Sequence, residues 1–151
     1  MRALLQRVTA AGVSLVDDAG AEAPLAAIGP GLVVLVCAEP QDTDETVQYF
    51  ARKVANMRMF EDAQGKTNLS IQDVGGQALV ISQFTLAADW KRGNRPGFSG
   101  AADPQTAERL YLAFADHLKA EGVDVAMGRF RSHMRVTLTN DGPFTIWMDS
   151  D

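Results

Sequence analysis

Polar side chains follow directly on an apolar segment at Ser82-Gln83-Phe84-Thr85. The preceding residues, Ala78-Leu79-Val80-Ile81, predict the start of a buried strand. Because burying hydroxyl and amide groups is costly unless they are paired, one interpretation is that these side chains line a pocket and bind a ligand. The other interpretation is that the strand simply emerges into solvent.

A second candidate is the stretch Asn140-Asp141-Gly142-Pro143-Phe144-Thr145. Asn-Asp-Gly is an ordinary turn signal, so a plain hairpin turn is one interpretation. The other is a binding loop, since Gly142 lets the backbone approach a ligand closely and Pro143 removes a backbone donor. A cis bond before Pro143 does not follow from the sequence, because only about 5–6% of X-Pro bonds in folded proteins are cis.

Two groups of cations offer contacts to phosphate. The first lies in Lys91-Arg92-Gly93-Asn94-Arg95-Pro96-Gly97-Phe98, which carries three positive charges in a loop containing Gly and Pro. The second consists of Arg129, Arg131 and Arg135, with no acidic residue between them. Each group either binds phosphates or forms solvated basic surface, which is the commoner case.

The other reactive residue types restrict the chemistry. One Cys and two His exclude an internal disulfide framework and a Cys-based zinc site, and leave little for a His-based metal site. Cys37 lies in an apolar run and is expected in the core, whereas His117 is expected to be solvated and His133 to be structural. The sequence contains no Gly-rich phosphate loop, GxSxG or HExxH motif.

Composition places the chain among ordinary globular proteins. Its 151 residues fit one domain, expected to span 1–151, and the 46% hydrophobic and 22% charged residues make intrinsic disorder unlikely. A net charge of -5 argues against an unselective polyanion binder but allows a local basic patch. The N-terminus lacks the apolar stretch of a signal peptide, and the run Leu32–Ala38 is too short to span a membrane. We therefore expect a cytoplasmic protein without a membrane segment.

Several segments predict strands that position these residues. Leu4–Val16 is an extended segment bent at Gly12, and Leu32–Cys37 is an apolar run typical of a strand buried on both faces. Near the C-terminus, apolar and polar residues alternate on both sides of the predicted turn at 140–142.

Two helices are predicted from apolar spacing and capping residues. The first is expected to run from about Thr43 to Met59, with Asp42 and Glu45 at capping-box spacing. The second follows Asp103 as N-cap and ends at Gly122. The elements together predict a β-rich α/β domain, in which long, largely antiparallel strands form a barrel-like sheet covered by two helices.

These stretches together resemble the D-aminoacyl-tRNA deacylase family, also called D-Tyr-tRNA deacylase, over almost the whole chain. The family's two signatures are Ser82-Gln83-Phe84-Thr85-Leu86, and Asn140-Asp141-Gly142-Pro143 followed by Thr145. Weaker matches occur in the correct order and spacing at the opening strand Ala3–Val8, the turn Asp62–Leu69, the basic loop Arg92–Pro96, and Gly128-Arg129-Phe130.

The resemblance implies a homodimeric enzyme with its active site at the subunit interface. It implies hydrolysis of the ester between a D-amino acid, or glycine, and the 3′-terminal adenosine of tRNA, without a metal or organic cofactor. It further implies a cis Gly142-Pro143 bond that reaches into the partner's active site and rejects L-amino acids, with Arg7 holding its carbonyls. The implied substrate-binding residues also include Asn140 and Thr145, and the implied wall of the catalytic pocket is the strand Ser82-Gln83-Phe84-Thr85. The cations expected to contact tRNA are Lys91, Arg92, Arg95 and Arg129.

Ester hydrolysis requires a positioned water and donors for the developing oxyanion. Backbone N–H groups near Phe84 and Thr85 are candidates for those donors. Thr85 is a candidate nucleophile, but no base is visible beside it in the sequence. We favour attack by water, assisted by the 2′-hydroxyl of the tRNA's own ribose, which is a hypothesis that the family resemblance suggests.

Three departures from the family pattern stand beside these matches. Phe144 replaces the usual Val, Gly97 replaces the usual Ser, and Arg131-Ser132-His133 replaces a smaller, less charged run. The alternatives are a related editing enzyme that removes L-alanine from mischarged tRNA, with a trans Gly-Pro and a different first motif, or a non-catalytic RNA-binding domain.

Overall fold

Strand β1 (Arg2–Val16) organises the sheet in the computed structural model, which describes residues 1–150. One edge of β1 pairs along its length with β8 (Met134–Asp149). The other edge pairs first with β3 (Gly31–Cys37) and then, beyond Val8, with β2 (Glu22–Ile28). All three pairings are antiparallel, which confirms the prediction of long, largely antiparallel strands.

The sheet continues from β3 through two parallel pairings. Strand β6 (Gln77–Ser82) lies beside β3, and β7 (Asp124–Met127) lies beside β6. Strand β2 also approaches β6 and β7 without pairing with them, so the sheet curls into a nearly closed barrel. A small hairpin, β4 (Phe60–Glu61) and β5 (Thr67–Leu69), lies outside this sheet.

The sheet has a hydrophobic core on each face. Alternate residues of β3 belong to different cores: Val34 packs between the sheet and the helices, whereas Val33 packs inside the curl. Strand β6 divides in the same way, with Val80 in the first core and Leu79 in the second. This alternation explains why both strands are continuous apolar runs.

Helices α1 (Asp44–Asn56) and α2 (Pro104–Ala120) pack against each other and cover the first core. Helix α2 begins as predicted, because the Asp103 side chain accepts hydrogen bonds from the N–H groups of Gln105 and Thr106. Among residues 1–150, no helix is long and apolar enough to cross a membrane.

The capping prediction for α1 was wrong. Thr43 is the N-cap and forms a capping box with Thr46, whereas Asp42 is buried and lies 2.5 Å from the amino group of Met1. Helix α1 also ends earlier than predicted, at Asn56, because Met57 is extended and Met59 enters the core. The carbonyl of Met59 then accepts a hydrogen bond from Arg7.

The predicted turn at 140–142 was also wrong, because the chain does not reverse direction there. Strand β8 pairs with β1 on both sides of this segment, with Thr145 opposite Gln6 and Asn140 opposite Val8. The residues 141–144 therefore bulge out of the ladder opposite Arg7. We call residues 141–144 the selector bulge, after the role that the family resemblance implies for Gly142-Pro143.

Candidate active site

A cavity of about 480 Å³ opens where β6 ends. Its walls come from the end of β3, the polar stretch after β6, the segment before α2, and the segment between β7 and β8. The lining residues most relevant to chemistry are Cys37, Ser82, Gln83, Phe84, Phe98, Phe130, Arg131 and His133. A cavity of this size with mostly apolar walls and a few polar groups is typical of a small-molecule site.

The polar stretch changes conformation as it enters the cavity. Ser82 is the last residue of β6, and the Gln83 N–H still donates to the carbonyl of Val36 at 2.7 Å. A short 3₁₀ helix, Phe84–Ala87, then follows. The expectation that 82–85 is one strand was therefore wrong beyond Ser82, because the chain turns away from β3 there.

This turn presents two backbone donors. Within the described residues 1–150, the N–H groups of Phe84 and Thr85 donate to no other protein group, since they stand at the start of the 3₁₀ helix. The Thr85 hydroxyl accepts a hydrogen bond from Gln83 Nε2. The stretch thus combines free backbone donors with a partly engaged hydroxyl.

Aromatic rings form one rim of the cavity. Phe84 is exposed and packs edge-on against Phe98, with ring centroids 5.1 Å apart. The ring centroids of Phe130 and Tyr111 lie 6.2 Å apart. The hydroxyl of Tyr111 donates to the carbonyl of Val80 at 3.0 Å, and burial raises its pKa to about 12. Tyr111 therefore supports the wall as a neutral group.

The titratable groups that line the cavity are few. Burial, reinforced by the negative charge of Glu39, raises the pKa of the Cys37 thiol to about 11. Cys37 is a buried free thiol, as predicted, and stays protonated at neutral pH. His133 is exposed at the cavity mouth, and no Asp or Glu is among the described lining residues.

Arg7 anchors the selector bulge from the opposite strand. Its side chain is 9% exposed, and Nη1 donates to the Met59 carbonyl at 2.6 Å. Nε donates to the Asp141 carbonyl at 3.2 Å and lies 3.4 Å from Asp141 Oδ2. The guanidinium also lies 4.8 Å from the ring centroid of Phe144. Arg7 thus contacts both ends of the bulge.

Asn140 closes the bulge at its base. Its Nδ2 donates to the carbonyls of Arg7 and Phe144, at 2.9 and 3.1 Å. The Thr145 hydroxyl donates to Asn140 Oδ1 at 3.4 Å and accepts from Gln6 Nε2 at 3.4 Å. These bonds replace the ladder contacts that the bulge interrupts.

The tip of the bulge is exposed main chain. The Gly142-Pro143 bond is cis, as the family resemblance implied. Gly142 has φ +124°, and a Cβ there would lie 3.0 Å from Arg7 Nη2 and 3.1 Å from the Phe144 nitrogen. A side chain at 142 is therefore strained both by φ and by its neighbours.

The two predicted signatures do not meet within one chain. The cavity lining includes Ser82, Gln83 and Phe84, but no residue of the selector bulge and neither Arg7 nor Asn140. The bulge instead lies along the edge of β1 that pairs with β8, where the Arg7 side chain holds it.

The predicted cations occupy two places. Lys91, Arg92 and Arg95 lie in an exposed loop closed by a bridge between Asp89 and Gly97. Arg129 lines a shallower depression together with Arg131 and His133. Arg135 differs from these, because it is paired with Glu22 at 2.6 Å.

Sequence reasoning missed some of the cavity wall. His133 was expected to be structural, but it lies at the cavity mouth beside Arg131, whose φ is +56°. Phe98 was noted only as the end of the cationic loop, and Phe130 only as part of a family-like string. Their aromatic character, in segments that contain Gly, is the one local signal for a rim residue.

Comparison with known proteins gives full-length matches. The family described as D-Tyr-tRNA(Tyr) deacylase matches residues 4–149. A protein of Dinoroseobacter shibae named D-aminoacyl-tRNA deacylase is 57% identical, and the match covers 99% of each chain. One of the same name from Cereibacter sphaeroides is 52% identical over 99% of this chain and 100% of the relative.

Two solved structures have the same fold. One, titled c-Myc DNA Unwinding Element Binding Protein, superposes with a TM-score of 0.88 at 35% identity, covering 100% of this chain and 99% of the other. The second, described as a probable eukaryotic D-amino acid tRNA deacylase, has a TM-score of 0.80 at 18% identity and covers 97% of each chain. The second match shows the fold alone.

Proposed function

Because the chain belongs to the D-Tyr-tRNA(Tyr) deacylase family, we propose that it hydrolyses the ester between a D-amino acid and the 3′-terminal adenosine of tRNA. The observation that carries this proposal is the cavity at the end of β6, which Phe84 lines, together with the unpaired backbone N–H groups of Phe84 and of the next residue, Thr85. Such donors are what the tetrahedral intermediate of ester hydrolysis requires.

The reaction begins with the ester carbonyl near the N–H groups of Phe84 and Thr85. A water attacks the carbonyl carbon, and the carbonyl oxygen takes up negative charge that these donors stabilise. The bond to the ribose 3′-oxygen then breaks, and the proton lost by the water reaches that oxygen. The free amino acid and the tRNA 3′-hydroxyl are the products.

The substrate's own 2′-hydroxyl is the proton carrier that best fits the cavity. The described lining residues include no carboxylate, and the Cys37 thiol has its pKa raised to about 11. Among residues 1–150, the hydrogen-bond partner of the Thr85 hydroxyl is the neutral amide of Gln83, so no base is bonded to it. Thr85 and Gln83 position the substrate in this mechanism.

The aromatic rim accommodates the terminal nucleoside. Phe84 and Phe98 form an edge-on pair, and Phe84 is 55% exposed. An exposed aromatic face binds any base by stacking. A terminal adenosine held there extends its 3′-ester toward the donors of Phe84 and Thr85.

The selector bulge acts in the cavity of a second copy of the chain. Within residues 1–150, β8 pairs with β1 alone, so its other edge offers backbone groups to a symmetric partner. The exposed tip of the bulge contributes no residue to the cavity at the end of β6 in its own chain. A homodimer with two shared sites accounts for both observations.

Main-chain atoms at Gly142 and Pro143 reject L-amino acids by exclusion. An L side chain on the bound substrate points at rigid backbone held by Arg7, whereas a D side chain points away. Because main chain does not read side-chain identity, one site serves many D-amino acids. Glycine, which has no side chain to exclude, is accepted as well.

Contacts to the tRNA phosphates come from the exposed cations Lys91, Arg92, Arg95 and Arg129. With a net charge of -5 on the whole chain, binding depends on these local charges and weakens as salt is raised. We place the activity in the cytoplasm, where aminoacyl-tRNA is made and used.

The test is amino acid release from D-Tyr-tRNA and L-Tyr-tRNA, measured side by side at nanomolar enzyme. Rapid, catalytic release of D-tyrosine with the L-ester intact supports the proposal. Release of neither amino acid favours the RNA-binding alternative. Release from L-Ala-tRNA in preference to D-Tyr-tRNA favours the L-alanyl editing alternative.

The selector is tested separately with Gly142→Ala. The added Cβ meets Arg7 Nη2 and the Phe144 nitrogen, so the bulge shifts and L-Tyr-tRNA hydrolysis rises relative to D-Tyr-tRNA hydrolysis. Gly97→Ala is the matched control, since a Cβ at 97 meets nothing within 4 Å. An unchanged D-to-L ratio in Gly142→Ala contradicts the selector role.

A further inference from the structure

Trp90 is the most exposed large hydrophobic side chain among residues 1–150, with 73% of its surface accessible. The proposed catalytic mechanism gives it no role. An indole left in water over so much of its surface contributes little to folding, so its ring is available as a contact surface.

The loop that carries Trp90 leaves directly from the cavity rim. Asp89 and Gly97 exchange two backbone hydrogen bonds, at 2.8 and 2.9 Å, and so close the loop at its base. Phe98, the next residue, packs on Phe84 at the cavity rim. Trp90 directly follows Asp89, which pairs with Gly97, the neighbour of Phe98. Trp90 therefore lies just outside the cavity.

The charges around Trp90 select the kind of partner. Lys91, Arg92 and Arg95 are exposed, and Asp89 is the single acidic residue of the loop 89–97. The Asp89 carboxylate accepts a hydrogen bond from the Lys91 backbone N–H at 3.1 Å. An exposed aromatic ring among cations matches single-stranded nucleic acid, whose bases stack on rings and whose phosphates bind cations.

We propose that Trp90 is a stacking platform for an unpaired base of the tRNA 3′ end, namely a nucleotide preceding the adenosine whose ester is cleaved. This inference rests on the proposed function and extends it from the reacting adenosine to the rest of the single strand. The neighbouring cations bind the phosphates of the same nucleotides. Trp90 thereby positions the strand and contributes to affinity, while the chemistry stays at the end of β6.

The first test compares a long and a minimal substrate. For D-Tyr-tRNA, Trp90→Ala is expected to raise KM about 5- to 150-fold, the effect of losing one base stack, with kcat unchanged. For D-tyrosyl-adenosine, which lacks the preceding nucleotides, Trp90→Ala and the native enzyme have equal kcat/KM. Trp90→Phe retains most of the affinity for D-Tyr-tRNA, whereas Trp90→Leu behaves like Trp90→Ala.

Tyr49→Ala is the matched control. Tyr49 is also an exposed aromatic beside cations, 48% accessible with Arg52 and Lys53 over its ring, but it lies on α1. It is expected to leave KM for D-Tyr-tRNA unchanged. Arg92→Ala is expected to reduce the salt dependence of binding, whereas Trp90→Ala leaves the salt slope unchanged because stacking releases no counterions.

The second test observes stacking directly. In a Trp147→Phe background, Trp90 is the remaining tryptophan, and its fluorescence is expected to be quenched by uncharged tRNA with an intact 3′ end. A blunt-ended RNA duplex of the same charge is expected to quench it much less, because it has no unpaired base.

Three outcomes overturn the proposal. They are an unchanged KM of Trp90→Ala for D-Tyr-tRNA, an equal loss on D-tyrosyl-adenosine, and equal quenching by blunt duplex and tRNA. If the native enzyme releases tyrosine from neither substrate, the proposed function fails instead. The quenching experiment then decides the stacking proposal by itself.

Discussion

Arg7 Nε donates a hydrogen bond to the Asp141 carbonyl at 3.2 Å, although the two residues belong to neighbouring strands whose regular pairing stops at this point. The same guanidinium reaches the Met59 carbonyl at 2.6 Å. The buried Arg7 side chain therefore connects the selector bulge to Met59, the core residue that precedes β4. This contact therefore helps to set the position of the bulge, together with the strand pairing on either side of it.

Replacing Arg7 is expected to loosen the bulge and to weaken the fold. Arg7→Ala leaves the Met59 and Asp141 carbonyls without their donor, and should lower the free energy of unfolding by about 3 kcal/mol. Arg7→Lys keeps the charge but not the fork of donors, so it should fold yet lose much of its discrimination against L-Tyr-tRNA. Urea unfolding and the D-to-L ratio of kcat/KM measure the two effects.

Arg52→Lys is the control, because Arg52 is exposed on α1. It should change neither measurement. An Arg7→Lys enzyme with full discrimination would show that Arg7 does not set the position of the bulge.

Thr85 and His133 are expected to be dispensable for the chemical step. Thr85→Ala should lower kcat no more than about tenfold, whereas loss of a true nucleophile costs on the order of 10⁴-fold or more. The kcat of His133→Ala should lie within about threefold of the native kcat, whereas loss of a general base lowers the rate about 10²- to 10⁴-fold. Single-turnover hydrolysis of D-Tyr-tRNA separates these cases. A near-complete loss with tRNA binding intact assigns the residue to catalysis and contradicts attack by water assisted by the substrate.

Cys37 should behave as a buried, protonated thiol. Because its pKa is raised to about 11, the thiolate fraction stays small until the pH approaches that value. Alkylation by iodoacetamide at pH 8 should therefore be much slower in the folded protein than in urea, and should accelerate as the pH rises toward 11. The Cys37→Ala enzyme should hydrolyse D-Tyr-tRNA at the native rate. Fast alkylation of the folded protein at pH 8 would contradict a buried, protonated Cys37 thiol.

Stability should depend on close backbone contact between β3 and β6. A Cβ at Gly31 would lie 1.8 Å from the Gln77 carbonyl oxygen, so Gly31→Ala should cost about 4 kcal/mol or more, or prevent folding. In Gly12→Ala the new Cβ lies 3.5 Å from its nearest neighbour, the Ala26 carbonyl oxygen. This substitution should change the free energy of unfolding by less than about 1 kcal/mol. Equal unfolding midpoints for the two variants would contradict this packing.

Burial and local signals could be predicted from the sequence, but strand partners could not. The apolar run of β3 predicted a strand buried on both faces, and the two cores on either side of Val33 and Val34 confirm it. Nothing in that run indicates that β6 pairs with it in parallel, because the pattern reports the environment of a strand and not its neighbour. The Asp103 cap was predictable because it depends on contacts within three residues.

The errors have a common physical origin in long-range contacts. Asn140-Asp141-Gly142 fits a hairpin turn as well as a bulge, and the choice is made by β1, which pairs on both sides of it. Asp42 was predicted as part of a cap, but the amino group of Met1 holds it in the core. The cavity wall likewise joins Phe98, Phe130 and His133, which only the fold brings together.

Mixing of two inactive variants tests whether each active site combines the cavity of one chain with the selector bulge of another, as we propose. One variant, Ala101→Trp, fills the cavity at a lining position. The other, Pro143→Trp, blocks the partner's cavity from the bulge. Each should be folded by circular dichroism and inactive on D-Tyr-tRNA by itself.

After mixing and reassembly, half of the dimers are hybrids, and each hybrid holds one intact cavity facing one intact bulge. We expect about a quarter of the native activity to return, because half of the dimers then hold one working site out of two. No recovery, with hybrid dimers present by native mass spectrometry, would contradict a site shared between chains.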